Sequence, residues 1–246
     1  MSRRWSVRDD FNYLGHSTGL PVKTPFLRTV LSIVQKDLRG ELRSRELVGS
    51  MGLFALLSIL VFSFALELDR VAREEAISGV LWVTVIYAST IGLNRSMAME
   101  REHGNLDGML MAPIDRTAIF FGKLVGNLVF TLVVGFILLP VMTALYNKSL
   151  LDPIVISLLG LGTLGFATVG TLLATMTVQT RARESLLPIV MLPITLPMML
   201  AAVRATTATL SGTPDDGSIS WPAILVVLDV IYLVASFLLF EYVVEE

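Results

Sequence analysis

Residues 99–113 read MEREHGNLDGMLMAP and place Glu100, Glu102 and His103 within one short stretch. Carboxylates beside an imidazole serve general acid–base catalysis or metal ligation. The spacing argues against both. Residues two apart on a helix point about 200° away from each other, so Glu100 and Glu102 do not converge on one proton. Histidine occurs only at His16 and His103, and a metal or haem needs clustered or opposed ligands. His103 therefore reads as a solvated or interface residue, and the glutamates as a charged rim for a basic partner. There is no cysteine, which excludes thiol catalysis, iron–sulfur clusters and cysteine-held zinc. GLGTLG at 160–165 has the form of a dinucleotide fingerprint, but it lies inside an apolar run with no strand before it. Its glycines, with Gly122 and Gly126, read as small residues that let helices approach closely. No G-x-x-x-x-G-K-[ST] occurs, so if ATP drives this protein another subunit binds it. The residues suggest no directly bound cofactor, no metal and no nucleic-acid partner.

The elements that carry these residues follow from hydropathy. Of 246 residues, 54% are hydrophobic and 16% charged, and mean hydropathy is +0.71. Six apolar runs, at 47–66, 77–93, 119–146, 154–178, 185–203 and 222–243, approach the roughly 20 residues needed to cross a bilayer. The expected fold class is an all-α membrane protein with six transmembrane helices. With the N-terminus inside, 14 of the 19 Lys and Arg fall on the cytoplasmic side and four on the other. Both termini, and the stretch 99–113, are then cytoplasmic. No cleavable signal peptide is expected in the polar, arginine-bearing start of the chain.

Residues 1–24 read as a poorly ordered extension and 25–246 as the membrane domain. From Phe26, the positions Val30, Ile33, Val34, Leu38 and Leu42 recur at helical spacing among basic residues, predicting an amphipathic helix at the inner membrane surface. After span two, the pattern predicts a helical extension, a break near Gly104, a short helix with Leu106, Met109 and Leu110 on one face, and a stop at Pro113. Ionisable residues inside spans are functional candidates. Lys123 lies close enough to the inner surface to snorkel. Asp229 lies roughly 10 Å deep from the outer side and is expected to pair with Arg204, while Glu241 reaches water. Pro188, Pro193 and Pro197 predict a kinked or partly unwound fifth span lining a moving pathway. The polar run 205–221 has room for a short outer helix before Pro214.

Four stretches resemble the CcmB family, the permease subunit of the ABC-type haem exporter of system I cytochrome c maturation. They are EREHGNLDGMLMAPIDRTAIFFGKL (100–124), LGTLGFATVGTLLA (161–174), TRARESLLPIVMLPITLPMMLAAV (180–203) and LLFEYVVEE (238–246). The resemblance covers about residues 26–246; residues 1–24 depart from it. It implies an ABC-2-type permease of the inner membrane with six spans, an N-terminal interfacial helix and a cytoplasmic coupling helix docking on a separate CcmA-like ATPase. Glu100, Glu102, Gly104, Leu106, Met109, Leu110 and Pro113 would form that coupling element. Pro188, Pro193, Pro197, Arg204 and Asp229 would line or gate the pathway. The resemblance further implies two copies per complex, CcmC-like and CcmD-like membrane partners, and a CcmE-like haem chaperone. Haem would be the substrate, or ATP hydrolysis would release the haem-loaded chaperone. The alternatives are an ABC-2 permease for a lipid, polysaccharide or drug, and an intramembrane enzyme, which would need polar groups converging within the spans.

Overall fold

The computed structural model describes residues 26–66, 70–102, 116–177, 183–212 and 220–243. Among them the chain forms seven α-helices and no strand: α1 (Phe26–Ser44), α2 (Glu46–Ala65), α3 (Arg70–Glu102), α4 (Arg116–Tyr146), α5 (Pro153–Thr177), α6 (Arg183–Ser211) and α7 (Trp221–Val243). Helices α2 to α7 are each long and apolar enough to cross a membrane; this is a multi-pass membrane protein. Residues 1–24 and 103–115 lie outside the described residues, and with them the break at Gly104, the helix through Leu106, Met109 and Leu110, the stop at Pro113, and both histidines. The side chains of Glu102 and Glu241, and the region of Pro214, also lie outside.

A left-handed residue, Arg45 at φ 55°, breaks α1 from α2. That conformation is costly for a residue with a Cβ, and the Glu41 side chain holds the elbow. Its carboxylate is buried and accepts from the backbone N–H of Leu47 at 3.2 Å and of Val48 at 2.8 Å. A carboxylate on the first free amides of α2 satisfies two donors and complements the helix dipole. Glu41→Ala should cost about 1 kcal/mol, read as a lower unfolding midpoint in detergent, with Glu41→Gln recovering part of it. Equal midpoints for wild type and Glu41→Ala would remove the carboxylate from the elbow.

Two helices exceed their expected spans. Helix α3 has 33 residues, about 50 Å at 1.5 Å per residue, against a slab of about 30 Å. The helical extension of span two is thus present as far as Glu102. Helix α6 runs unbroken through Pro188, Pro193 and Pro197 to Ser211, so the expectation of partial unwinding is corrected, and the start of the polar run at 205 continues this helix rather than forming a separate short one. The threonine-rich end stays helical because its hydroxyls fold back. Thr206, Thr207, Thr209 and Ser211 each donate to the carbonyl four residues earlier, at 2.8–2.9 Å, hiding their polarity within the helix. Pro193 and Pro197 are exposed on the outer face of α6, and Pro188 is half-buried.

The core has two main bodies. One joins α2, α3, α4 and the start of α5 around Met51, Ile59, Leu138 and Met142. The other joins α3, α5, α6 and α7 around Trp82, Phe166, Met198 and Leu225. Helix α3 takes part in both.

Candidate functional site

The site is built where α1 crosses α4. Gly122 opens the contact: a Cβ there would lie 2.8 Å from the Ile33 Cβ, and one on Gly126 would lie 3.4 Å from Asp37 Oδ2. With α1 this close, the next residue along α4, Lys123, cannot extend to water. It is 3% exposed rather than snorkelling. Its ammonium donates to Asp37 Oδ2 at 2.9 Å and to Glu100 Oε1 at 2.6 Å. The same Glu100 oxygen accepts from Lys36 Nζ at 2.7 Å, and Lys36 also stands 3.3 Å from Asp37 Oδ1. Two lysines and two carboxylates thus tie the end of α3 to α1 and α4. Glu100 is therefore not on an outward rim; its carboxylate is buried and turned into the bundle, and Oε2 has no hydrogen-bond partner.

Burial by itself would push the Lys36 ammonium down. The Glu100 carboxylate and adjacent Asp37 outweigh that and hold it above the ordinary lysine value. A raised lysine contributes fully below its ordinary value and loses its contribution only as pH rises through the raised one. The cluster therefore keeps this charge at every physiological pH. Beside it lies a cavity of about 480 Å³, lined by Lys36, Glu41, Ser44, Ser96, Met99 and Phe130 among others.

From the cluster a polar ladder climbs into the bundle. Lys123, Asn127 and Thr131 follow at intervals of four on one face of α4. Asn127 donates from Nδ2 to Thr171 Oγ1 of α5 at 3.0 Å, and Thr131 from Oγ1 to Ser89 Oγ of α3 at 3.1 Å. Such bonds contribute about 0.6 kcal/mol each between helices in a membrane; their larger effect is to fix register. At the far end, the fully buried Trp82 donates from Nε1 to Thr206 Oγ1 at 2.9 Å, and its ring closes on Gly162 where a Cβ would collide. Gly162 and Gly165 are thus close-contact glycines, whereas Gly160 faces open space.

The expected Arg204–Asp229 pair is not formed. Arg204 is exposed, whereas Asp229 is buried with neither carboxyl oxygen hydrogen-bonded. The cause is helical phase: Arg204 stands six residues beyond Met198, which packs beside Asp229, and six residues turn a helix about 240°. Among the described residues no group of three His, Asp or Glu side chains is placed to hold a metal.

Comparison of the amino-acid sequence with known proteins points to one family. Residues 28–242 match the family model described as CcmB protein. The chain belongs to the CcmB family. Curated relatives named "Heme exporter protein B" support the assignment. The Pseudomonas aeruginosa protein is 25% identical over 189 residues, covering 76% of this chain and 83% of its own length. That of Rhodobacter capsulatus is 28% identical over 172 residues, covering 69% and 78%. That of Bradyrhizobium diazoefficiens is 27% identical over 198 residues, covering 77% and 86%.

In this CcmB-family chain the amphipathic helix was legible from the sequence, but the partnership of Lys36, Asp37 and Lys123 with Glu100 was missed. A signal was present. Glycines flank the α4 lysine at 122 and 126, and an acid on α1 falls one turn after Ile33, which is what a helix docking over a buried ammonium requires.

Proposed function

We propose that this chain is the permease subunit of an ABC-type haem exporter serving c-type cytochrome maturation. It sits in the cell inner membrane with both termini cytoplasmic, and residues 25–246 form the permease domain behind the 1–24 extension. The family match over 28–242, on a bundle of six membrane-length helices, carries this reading. The chain itself performs no catalysis. ATP is bound and hydrolysed by a CcmA-like subunit, two copies of the permease meet two ATPase subunits, and CcmC-like and CcmD-like proteins complete the assembly. Haem is the cargo, or a CcmE-like haem chaperone is the species released.

Coupling runs through residues 100–113. Leu106, Met109 and Leu110 enter a cleft on the ATPase, Glu102 meets its basic rim, and Gly104 and Pro113 shape the segment. Glu100 has a different part in this mechanism: it roots the element, passing a push on 103–113 through Lys36 and Lys123 to α1 and α4. Helices α3 and α6 then tilt, and the far end near Arg204 and Asp229 changes shape, with the exposed prolines 193 and 197 easing the bend of α6.

Two measurements test this. A strain lacking the gene should lose covalently bound haem in its c-type cytochromes and regain it with the wild-type chain; unchanged cytochromes would remove the haem assignment. Leu106→Asp with Leu110→Asp should abolish co-purification of the ATPase while the permease still reaches the membrane. An intact, active complex would place the docking surface elsewhere.

A further inference from the structure

Asp229 lies eight residues into α7 from Trp221, about 12 Å along the helix, in the membrane-crossing part of the bundle. Its carboxyl is closed in by Gly165 of α5 and the thioether of Met198 on α6; a Cβ on Gly165 would collide with Asp229 Oδ1 and with the Met198 methyl. Both carboxyl oxygens are buried without a hydrogen-bond partner. Buried hydroxyls within a turn of Gly165 and of Met198 are committed to their own helices, Thr168 to the Leu164 carbonyl and Thr195 to the Met191 carbonyl. Tyr232, one turn along α7, sends its hydroxyl to the Ile194 carbonyl. The charged residue of α6 at this end, Arg204, is exposed. Helix α4 also packs on α7, but its buried cation, Lys123, is held by Asp37 and Glu100, and no described cation faces Asp229 from α5, α6 or its own helix.

An ionised carboxylate is not tolerated in such surroundings, because burial strips its hydration and supplies neither cation nor donor in return. The neutral acid is tolerated, since it has the polarity of a small buried hydroxyl and the volume the glycine leaves open. The geometry points to Asp229 as an intramembrane proton-binding site, occupied while α5, α6 and α7 are packed and emptied only when their junction admits water. Gly165 is then the residue that makes room for it and Met198 the wall that must move. An ionised Asp229 opposes reclosure, so the packed junction is favoured as pH falls and the hydrated one as pH rises. This assignment concerns the bundle itself and does not depend on which cargo the exporter carries.

The test is infrared difference spectroscopy on the complete complex in liposomes at neutral pH, wild type against Asp229→Asn. Asparagine keeps the size of the neutral acid and cannot ionise. The expected difference is the loss of one carboxylic-acid carbonyl band, with the carboxylate bands unchanged. Loss of a carboxylate band instead would mean that Asp229 is ionised, held by water or by a cation from another chain, and would overturn the proposal. Gly165→Ala supplies an independent arm, because its methyl takes the place of Oδ1 and of Met198. A folded Gly165→Ala complex should exchange the acid band for a carboxylate band as the junction opens. An unchanged acid band there would overturn the link between packing and proton occupancy.

Discussion

Lys123→Leu should destabilise the protein by about 3 kcal/mol, the lower end of the range for breaking a buried ion pair by removing one partner. The lower end applies because Lys36 still reaches both Glu100 and Asp37 while Lys123 is the partner sealed from water. Glu100→Leu combined with Lys123→Leu should bring stability back to within about 1 kcal/mol of wild type, because two apolar side chains in place of a buried pair remove desolvation along with attraction. The double variant leaves Asp37 with Lys36. Stability and coupling should then separate: the double variant folds and reaches the membrane, yet its c-type cytochromes fall as far as those of the single variant. Thermal unfolding in detergent and covalent haem content read the two properties independently. Full cytochrome content in the double variant would reduce the cluster to a packing device with no part in transmission.

Much of this architecture was legible because membrane-crossing helices are a one-dimensional signal. A run of about 20 apolar residues has few alternatives in a bilayer, and all six runs became helices near their expected places. The ends were less legible where polar residues continue a helix. Thr206 to Ser211 read as loop by composition and are helix because their hydroxyls bond back onto the turn before. The amphipathic character of α1 was legible, but its two apolar sides were not. Ile33 and Val34 are buried against α4 and its neighbours, whereas Leu42, placed on the same stripe by spacing, is 76% exposed. Pairings across helices were the least legible. They depend on rotation about each axis and on offset along it, so Arg204 lies about 9 Å along α6 from Met198, the neighbour of Asp229, and on another face, while Lys36, Asp37, Glu100 and Lys123, on three different helices, converge.

Trp82→Ala should be the most damaging single change in the bundle, costing about 3–5 kcal/mol as a large fully buried aromatic is lost and its cavity only partly collapses. The indole fills the notch over Gly162 and joins α3 to α6 through Thr206. Trp82→Phe should cost far less, about 1 kcal/mol for the hydrogen bond plus a small packing loss. Thr206 keeps its own donation to the Ala202 carbonyl at 2.8 Å, so no buried donor is stranded there. Unfolding midpoints of the two variants in the same detergent give the comparison, and equal losses would mean that the hydrogen bond rather than the packing holds the joint. Position adds a functional consequence. Helix α3 is pinned at one end by Glu100 to α1 and α4, and again about 27 Å along its axis by Trp82 to α5 and α6. On the coupling proposed above, a push arriving at Glu102 would move α3 as a stiff rod, and Glu100 and Trp82 would hand that movement to α1 and α4 and to α5 and α6. Trp82→Phe should weaken transmission to α6 more than it weakens the fold, appearing as ATP hydrolysis that continues while cytochrome maturation falls.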